Sequence, residues 1–334
     1  MRYPHSCVLK IMKTVKLLLI AGICTLCACS KEPVSRTEFI FDTYCKITVP
    51  STEKNAVDAV EKAFNRMREI ENKFNIHKQG TPLYKFNRNE TSITDPEIIN
   101  NIKLSNEISR ASNGAFDITL KPLMELWGFY NGSNAVPSQK NIEKCLERTG
   151  YKKIEIKNNT VSKKDMNIQI DLGGIIKGYA VDSAAEVLRN EGIKSALIDA
   201  GGDVYGFGEI NKRPWGVGIK NPRGEKLIGV LEISGKAVVT SGDYERYFIK
   251  NNKRYHHILN PKTGYPAQGV QSVTIIGPDA AFADGLATAV FVMGPDKGLK
   301  AVDNLKDYEA VLVRKKDEIL VSQGLENKIT KVKK

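Results

Sequence analysis

Apolar residues recur along this chain at two periods, and the periods divide it into elements. Thr37 to Val49 alternates around Phe39, Phe41, Ile47 and Val49, which predicts a strand with one covered face. Ala56 to Phe74 places Val57, Val60, Phe64, Met67, Ile70 and Phe74 at helical spacing, an amphipathic helix whose stripe is core. Asn75 to Glu90 is polar and irregular. Asp95-Pro96-Glu97 offers an N-cap followed by proline at the first helical position, so a second helix runs to about Ser112, where Asn113-Gly114 breaks it. Ile176, Ala180, Val181, Ala184, Val187 and Leu188 share one side of a third helix that starts near Gly174 and stops at Gly192. Ser195 to Asp199 predicts a strand running into Ala200-Gly201-Gly202-Asp203. From Trp215 to Ile276 short strands are separated by Asn-Pro, Ser-Gly and Asn-Pro-Lys-Thr-Gly turns; then come a helix over Ala283 to Met293 and strands at Ala310 to Arg314 and Ile319 to Ser322. Helices and strands mix without strict alternation, which predicts an α+β fold rather than a doubly wound parallel sheet.

The N-terminus follows another pattern. Lys13 and Lys16 precede Leu18 to Ala28, an uncharged apolar run too short to span a bilayer and shaped like the core of a secretory signal. The run ends in Leu26-Cys27-Ala28-Cys29, then Ser30-Lys31-Glu32. A cysteine at that position predicts acylation of Cys29, with an ordinary cleaved signal peptide as the competing reading. Residues 1–28 would then be a lipoprotein signal peptide, 29–36 a tether and 37–334 the folded domain, with Met12 an alternative start. The expected location is outside the cytoplasm, lipid-anchored to a membrane and facing the periplasm or the cell exterior.

Composition narrows the chemistry. At 41% hydrophobic residues the chain has material for a sizeable core. The formal charge is +12, and Arg2, Lys10, Lys13 and Lys16 account for part of it in the leader. A basic surface suits anionic lipid headgroups or a phosphate-bearing ligand, while nucleic acid is a poor partner for an exported protein. Cys7, Cys24, Cys27 and Cys29 fall in the leader region, so only Cys45 and Cys145 remain in the body: room for one bridge, not a disulfide framework. Only four histidines, and no pairing of a Cys-x-x-Cys with a His-x-x-x-His, argue against zinc.

Four segments could carry chemistry. Asp284 and Thr288 are four apart on the late helix, which sets a carboxylate beside a hydroxyl on one face; such hard oxygen ligands suit Mg²⁺, although a capping aspartate and a packed threonine would look the same. Asp171-Leu172-Gly173-Gly174-Ile175-Ile176-Lys177-Gly178 is expected at a strand-to-helix turn, where free N–H groups and Lys177 would face a phosphate; a tight connection is the plainer reading. Tyr255-His256-His257-Ile258 leads into Asn260-Pro261-Lys262-Thr263-Gly264, and histidine moves protons near neutral pH. A triad of Ser241, His257 and an aspartate is conceivable, but no Gly-x-Ser-x-Gly elbow supports it. Asn113-Gly114-Ala115-Phe116-Asp117 suits a binding turn, and the Pro122-to-Phe129 run suits core packing plus a turn.

The combination and order of these segments resemble the ApbE family, the FAD:protein FMN transferases. The resemblance spans nearly all of the mature chain: Asp42-Thr43-Tyr44, Leu83 to Asn87, Gly114 to Asp117 with Leu126-Trp127-Gly128-Phe129, Asp171 to Asp182, Asp199 to Asp203, Thr240 to Arg246, His257 to Gly264 and Ala283 to Gly294. It implies an α+β, T-fold-related architecture with mixed sheets and flanking helices. It also implies Mg²⁺ on Asp284, Thr288 and the Gly174 carbonyl, and FAD lined by Phe41, Leu83 and its neighbours, Ala115, Phe116, Asp117, Lys177 and Ile258. His257 matches the histidine tied to transfer, with His257 or Asp117 as proton acceptor. Two departures stand out: Phe41-Asp42-Thr43 replaces the commoner Met-Gly-Thr, and Gly173-Gly174 the commoner Ser-Ala or Ser-Thr. The implied reaction moves FMN from FAD to a serine or threonine hydroxyl, releasing AMP. The acceptor would be an exported or membrane electron-transfer protein with an Asp-x-Ser/Thr-Gly-Ala-type motif. An FAD pyrophosphatase and a non-catalytic, lipid-anchored FAD-binding protein are the competing readings.

Overall fold

In the computed structural model, which describes residues 32–325 and 330–331, Phe41 and Asp42 both take φ of 57°. Two left-handed residues in succession turn strand β1 (Val34–Ile40) back on β2 (Thr43–Val49), because that turn matches the twist of the paired strands. The single strand expected over 37–49 is therefore a hairpin, and it begins at Val34, inside the stretch expected to be tether. The leader and Cys29 lie outside the described residues. Gly201 and Gly202, at φ 63° and 95°, make the equivalent turn between β5 (Ala196–Ala200) and β6 (Asp203–Phe207).

The main sheet has the order β1-β2-β5-β6-β9-β12-β13-β14, with β9 at Lys236–Gly242, β12 at Ser272–Gly277, β13 at Glu309–Val313 and β14 at Ile319–Val321. The α+β class is as expected, but every ladder among the described residues is antiparallel where mixed sheets were expected. Alternate residues serve two cores. Ile47, Ile198, Val239, Ile275 and Leu312 join the larger one, under the helices Ala56–Phe74, Ile176–Asn190 and Ala280–Met293. Val204, Val238, Ile276 and Val311 face the opposite way, onto a small sheet of β7 (Trp215–Lys220), β8 (Leu227–Ile233) and β15 (Thr330–Lys331). Two hairpins stand apart: β3 (Ile154–Lys157) with β4 (Thr160–Lys163), and β10 (Tyr247–Lys250) with β11 (Lys253–His256).

Helix starts follow local chemistry. Asp95 accepts from the Glu97 and Ile98 amides ahead of Pro96–Ala111, as its position predicts. The late helix opens three residues early, at Ala280, because Asp279 accepts from Phe282 N while Asp182 accepts from Ala280 N and Ala281 N. The irregular stretch holds a short helix, Pro82–Asn87, capped by Thr81, and the Pro122-to-Phe129 run is largely the helix Lys121–Trp127. In Ala56–Phe74 the expected stripe of Val60, Phe64, Met67, Ile70 and Phe74 is buried, but Val57 is 66% exposed, and Ala56, Ala59 and Ala63 complete the inward face instead. Cys45 is buried on β2 and Cys145 lies on the helix Gln139–Leu146; both are free thiols. Among the described residues no helix is long and apolar enough to cross a membrane.

Candidate active site

A cleft of about 490 Å³ opens at one end of the main sheet. Its volume suits a small-molecule site. The β1–β2 turn brings Phe41 to it; the loop after Pro96–Ala111 brings Ala115, Phe116 and Asp117. The helix Ile176–Asn190 and the loop before it supply Gly174 and Lys177, the late helix supplies Asp284 and Thr288, and the segment after β11 supplies His257 and Ile258. Leu83 is not among the lining residues. It is fully buried in the larger core, on a helix too short to show a period in sequence.

Asp284 and Thr288 share a helix face, but their surroundings differ. Asp284 is 5% exposed and accepts only from Gly178 N, at 3.2 Å. Burial, reinforced by the nearby Asp203 carboxylate, pushes its carboxyl well above the usual carboxylate range. Thr288 Oγ1 lies 3.1 Å from Ser241 Oγ. Lys177 pairs with Asp203; burial alone would lower its pKa, but Asp203 and Asp284 outweigh this and raise it, so the ammonium stays charged. One oxygen of Asp203, Oδ1, is buried with no hydrogen-bond partner. Two buried carboxylates, one of them with an unmet acceptor, make a place that disfavours further negative charge and favours a cation. With the Thr288 hydroxyl and the backbone of Gly174, the donor set is all hard oxygen and fits Mg²⁺.

Gly174 is needed for a steric reason. A Cβ there would sit 2.9 Å from Phe116 Cε2, so the ring closes over bare backbone. The segment before it is not a strand: Asn87 holds Ile170 through both side-chain amide groups. Two of the first-turn amides expected to face a phosphate are engaged within the protein. Ile176 N bonds Leu172 O, and Gly178 N is taken by Asp284.

His257 Nδ1 is 3.2 Å from the Arg246 carbonyl, and its own N–H donates to the same oxygen at 3.0 Å. The two residues form the base of the β10–β11 hairpin. Desolvation, with the Arg246 guanidinium adding to it, brings the His257 pKa down to about 3 from the ordinary 6.5. The ring is therefore neutral, donates from Nδ1 and leaves Nε2 as an acceptor. Asp117 has no such freedom. Its carboxylate accepts from Thr119 N, Thr119 Oγ1 and Tyr151 N, which ties the 117–119 turn to Tyr151. The conceivable Ser241–His257 pair does not form, since Ser241 bonds Thr288.

Sequence reasoning passed over several wall residues. Glu71, His77, Lys121 and Tyr130 all face the cleft. Tyr130 donates to Asp171 and meets His77 edge-on, with ring centroids 5.0 Å apart. Phe129 lies against the His257 ring, and Trp127 Nε1 donates to Gly264 O at 2.8 Å, fixing the Asn260–Gly264 turn to the helix Lys121–Trp127. Each is a single residue in a helix or loop, and only long-range packing reveals its role.

Comparison with known proteins places this geometry. The model of the ApbE family matches residues 41–312. The FAD:protein FMN transferase of Klebsiella pneumoniae (strain 342) is 32% identical over 270 residues, covering 78% of this chain and 84% of that protein. The one from Treponema pallidum (strain Nichols) is 29% identical over 321 residues, 88% of each. Among solved structures, the ApbE protein of Thermotoga maritima superposes with a TM-score of 0.84 at 36% identity, covering 89% of this chain and 99% of that one. The flavinyl transferase ApbE of Pseudomonas stutzeri gives 0.79 at 26% identity, covering 89% and 96%. A match across most of the chain, in sequence and in fold, leaves one assignment: the chain belongs to the ApbE family.

Proposed function

We propose that this protein transfers the FMN half of FAD onto a serine or threonine hydroxyl of a partner protein, with AMP leaving, at a Mg²⁺ held by Asp284, Thr288 and the Gly174 carbonyl. One observation carries the reading: buried Asp284, charged Lys177 and neutral His257 line a single cleft in a chain of this family. The acceptor oxygen forms a bond to the FMN-side phosphorus as the bond to the AMP oxygen breaks. Catalysis of this kind is mostly positioning and charge stabilisation. Mg²⁺, when bound, neutralises charge on the pyrophosphate oxygens. Lys177 adds a fixed positive charge beside that position, held in place by Asp203. Phe41, Ala115, Phe116 and Ile258 supply apolar wall for the flavin. His257 Nε2 accepts the hydroxyl proton, since Nδ1 is already committed to Arg246. The proton-acceptor role falls to His257 rather than Asp117, whose oxygens are engaged.

The leader pattern supports an exported lipoprotein anchored through Cys29, facing the periplasm or cell exterior. There the acceptor would be an exported or membrane electron-transfer protein with an Asp-x-Ser/Thr-Gly-Ala-type motif. Mass spectrometry of a candidate acceptor domain incubated with the protein, FAD and Mg²⁺ tests the reaction. The expected result is a mass gain of one FMN phosphoester, absent with His257→Ala and Asp284→Ala. AMP release with an unmodified acceptor would instead make the protein a pyrophosphatase, and FAD left intact would make it a carrier.

A further inference from the structure

The Gly174 carbonyl is left open by its own helix. In a regular first turn the Gly178 N–H would bond back to it, four residues earlier. That N–H donates to Asp284 instead, at 3.2 Å, and among the described residues the Gly174 carbonyl accepts no hydrogen bond. Gly174, Asp284 and Thr288 all line the cleft. The direction of a bare backbone oxygen depends wholly on the turn that carries it. Here the turn is built on two successive glycines, the residue with the most conformational freedom to lose.

One carboxylate holds that turn. Asp171 Oδ1 accepts from Gly173 N at 2.8 Å, and Asp171 N donates to Ile118 O at 2.8 Å, which fixes the backbone on which the carboxylate stands. The other oxygen, Oδ2, accepts from the Tyr130 hydroxyl. Burial pushes the Tyr130 phenol well above its ordinary range, and the Asp171 carboxylate acts in the same direction, so the hydroxyl keeps its proton and donates. The Tyr130 ring is anchored in turn. It packs against both the larger core and the cluster around Trp127, and His77 meets it edge-on. An anchored ring, a carboxylate and a glycine amide therefore link the core to the residue just before Gly174.

We infer that Tyr130 and Asp171 are positioning residues for the Gly174 carbonyl: the hydroxyl–carboxylate–amide chain holds the Gly173–Gly174 turn in the form that presents this oxygen to the cleft with Asp284 and Thr288. The inference rests on the Mg²⁺ assignment. It gives a backbone ligand, which no side-chain substitution can remove, two side chains through which it can be tested. Groups outside the coordination shell that orient a metal ligand change metal affinity by about 10–100-fold when removed. The chain works through its bonds, not through the charge of Asp171. An asparagine at position 171 accepts from Gly173 N through its oxygen and donates to the Tyr130 oxygen through its amide, so both links survive without the charge.

Mn²⁺, which takes the same hard oxygen ligands as Mg²⁺, is the probe. It is titrated into the full-length protein in detergent, without FAD, and the free ion is read by electron paramagnetic resonance. Tyr130→Phe and Asp171→Ala should each weaken Mn²⁺ binding about tenfold. Asp171→Asn should bind as the wild type does. Tyr130→Phe removes one oxygen and keeps the ring and its packing, so the fold survives to carry the test. Wild-type Mn²⁺ affinity in Tyr130→Phe overturns the positioning role. So does Asp171→Asn binding as weakly as Asp171→Ala, since the charge and not the bonds would then be what the cation requires. No Mn²⁺ uptake by the wild type, or equal uptake by Asp284→Ala, removes the metal assignment instead, and the inference with it.

Discussion

The backbone N–H of Phe41 donates to the Glu71 carboxylate over 2.6 Å, and this bond fastens the β1–β2 turn to the end of the helix Ala56–Phe74. A phenylalanine at φ 57° is strained by about 1–2 kcal/mol, so the turn needs such an anchor. Glu71→Ala removes a charge-assisted hydrogen bond worth about 1.5–3 kcal/mol. The expected outcome is a lower melting temperature and weaker FAD binding, with Glu71→Gln milder because it keeps an acceptor oxygen. Equal FAD affinity in all three proteins, measured by flavin fluorescence titration, would show that the turn does not shape the site.

Phe116 and Gly174 make a second testable pair. Gly174→Ala places a methyl group 2.9 Å from Phe116 Cε2 and should cost about 1–3 kcal/mol of stability, as overpacking does. Adding Phe116→Leu should recover part of that loss, giving a coupling energy in a double-mutant cycle. Additive melting shifts would mean that the ring moves aside freely and that glycine is not required by this contact.

What the sequence made legible was mostly local. Asp284 and Thr288 sit on one helix face because four residues make about one turn, and the structure places them so. The Asp95 cap and its helix were equally plain. The errors share a cause in distant partners or weak signals. Val57 was placed inside because the inward alanines of that helix carry little hydrophobic signal. Leu83 is assigned to the site by family resemblance alone, through a polar, irregular stretch with no periodic signal to fix the match, and the structure buries it in the larger core. The first-turn amides near Lys177 looked free because Asp284, which takes one of them, lies 106 residues further on. The Phe41–Asp42 turn was hidden in an alternating pattern, since nothing about Phe41 marks a left-handed residue.

Asp284 should reveal a metal through stability as well as activity. Its buried carboxylate is unfavourable without a cation, so Asp284→Asn is expected to leave the metal-free protein as stable as the wild type or more so. Mg²⁺ should raise the melting temperature of the wild type, because a ligand that binds only the folded state stabilises it, and should not do so in the variant. AMP release should be lost together with the shift. A Mg²⁺-induced shift of equal size in both proteins would move the metal away from Asp284.

His257 gives a prediction in pH. Its folded pKa of about 3 lies below the ordinary 6.5, and His256 is lowered too, chiefly by burial. Between about pH 6.5 and 3 the unfolded chain therefore binds protons that the folded protein does not. Stability tied to the neutral ring is fully present above pH 6.5 and is lost as the pH falls through that window. His257→Asn removes part of the loss, so its melting temperature should decline less than that of the wild type from pH 6.5 to 5. The same depression means that kcat/KM for transfer, which reports ionisations of the free enzyme, should show no acid limb near pH 6.5 from this residue. A limb at that pH, absent from a residually active His257→Asn protein, would mean that the free enzyme holds the ring far more open to water than its packing against Arg246 and Phe129 indicates.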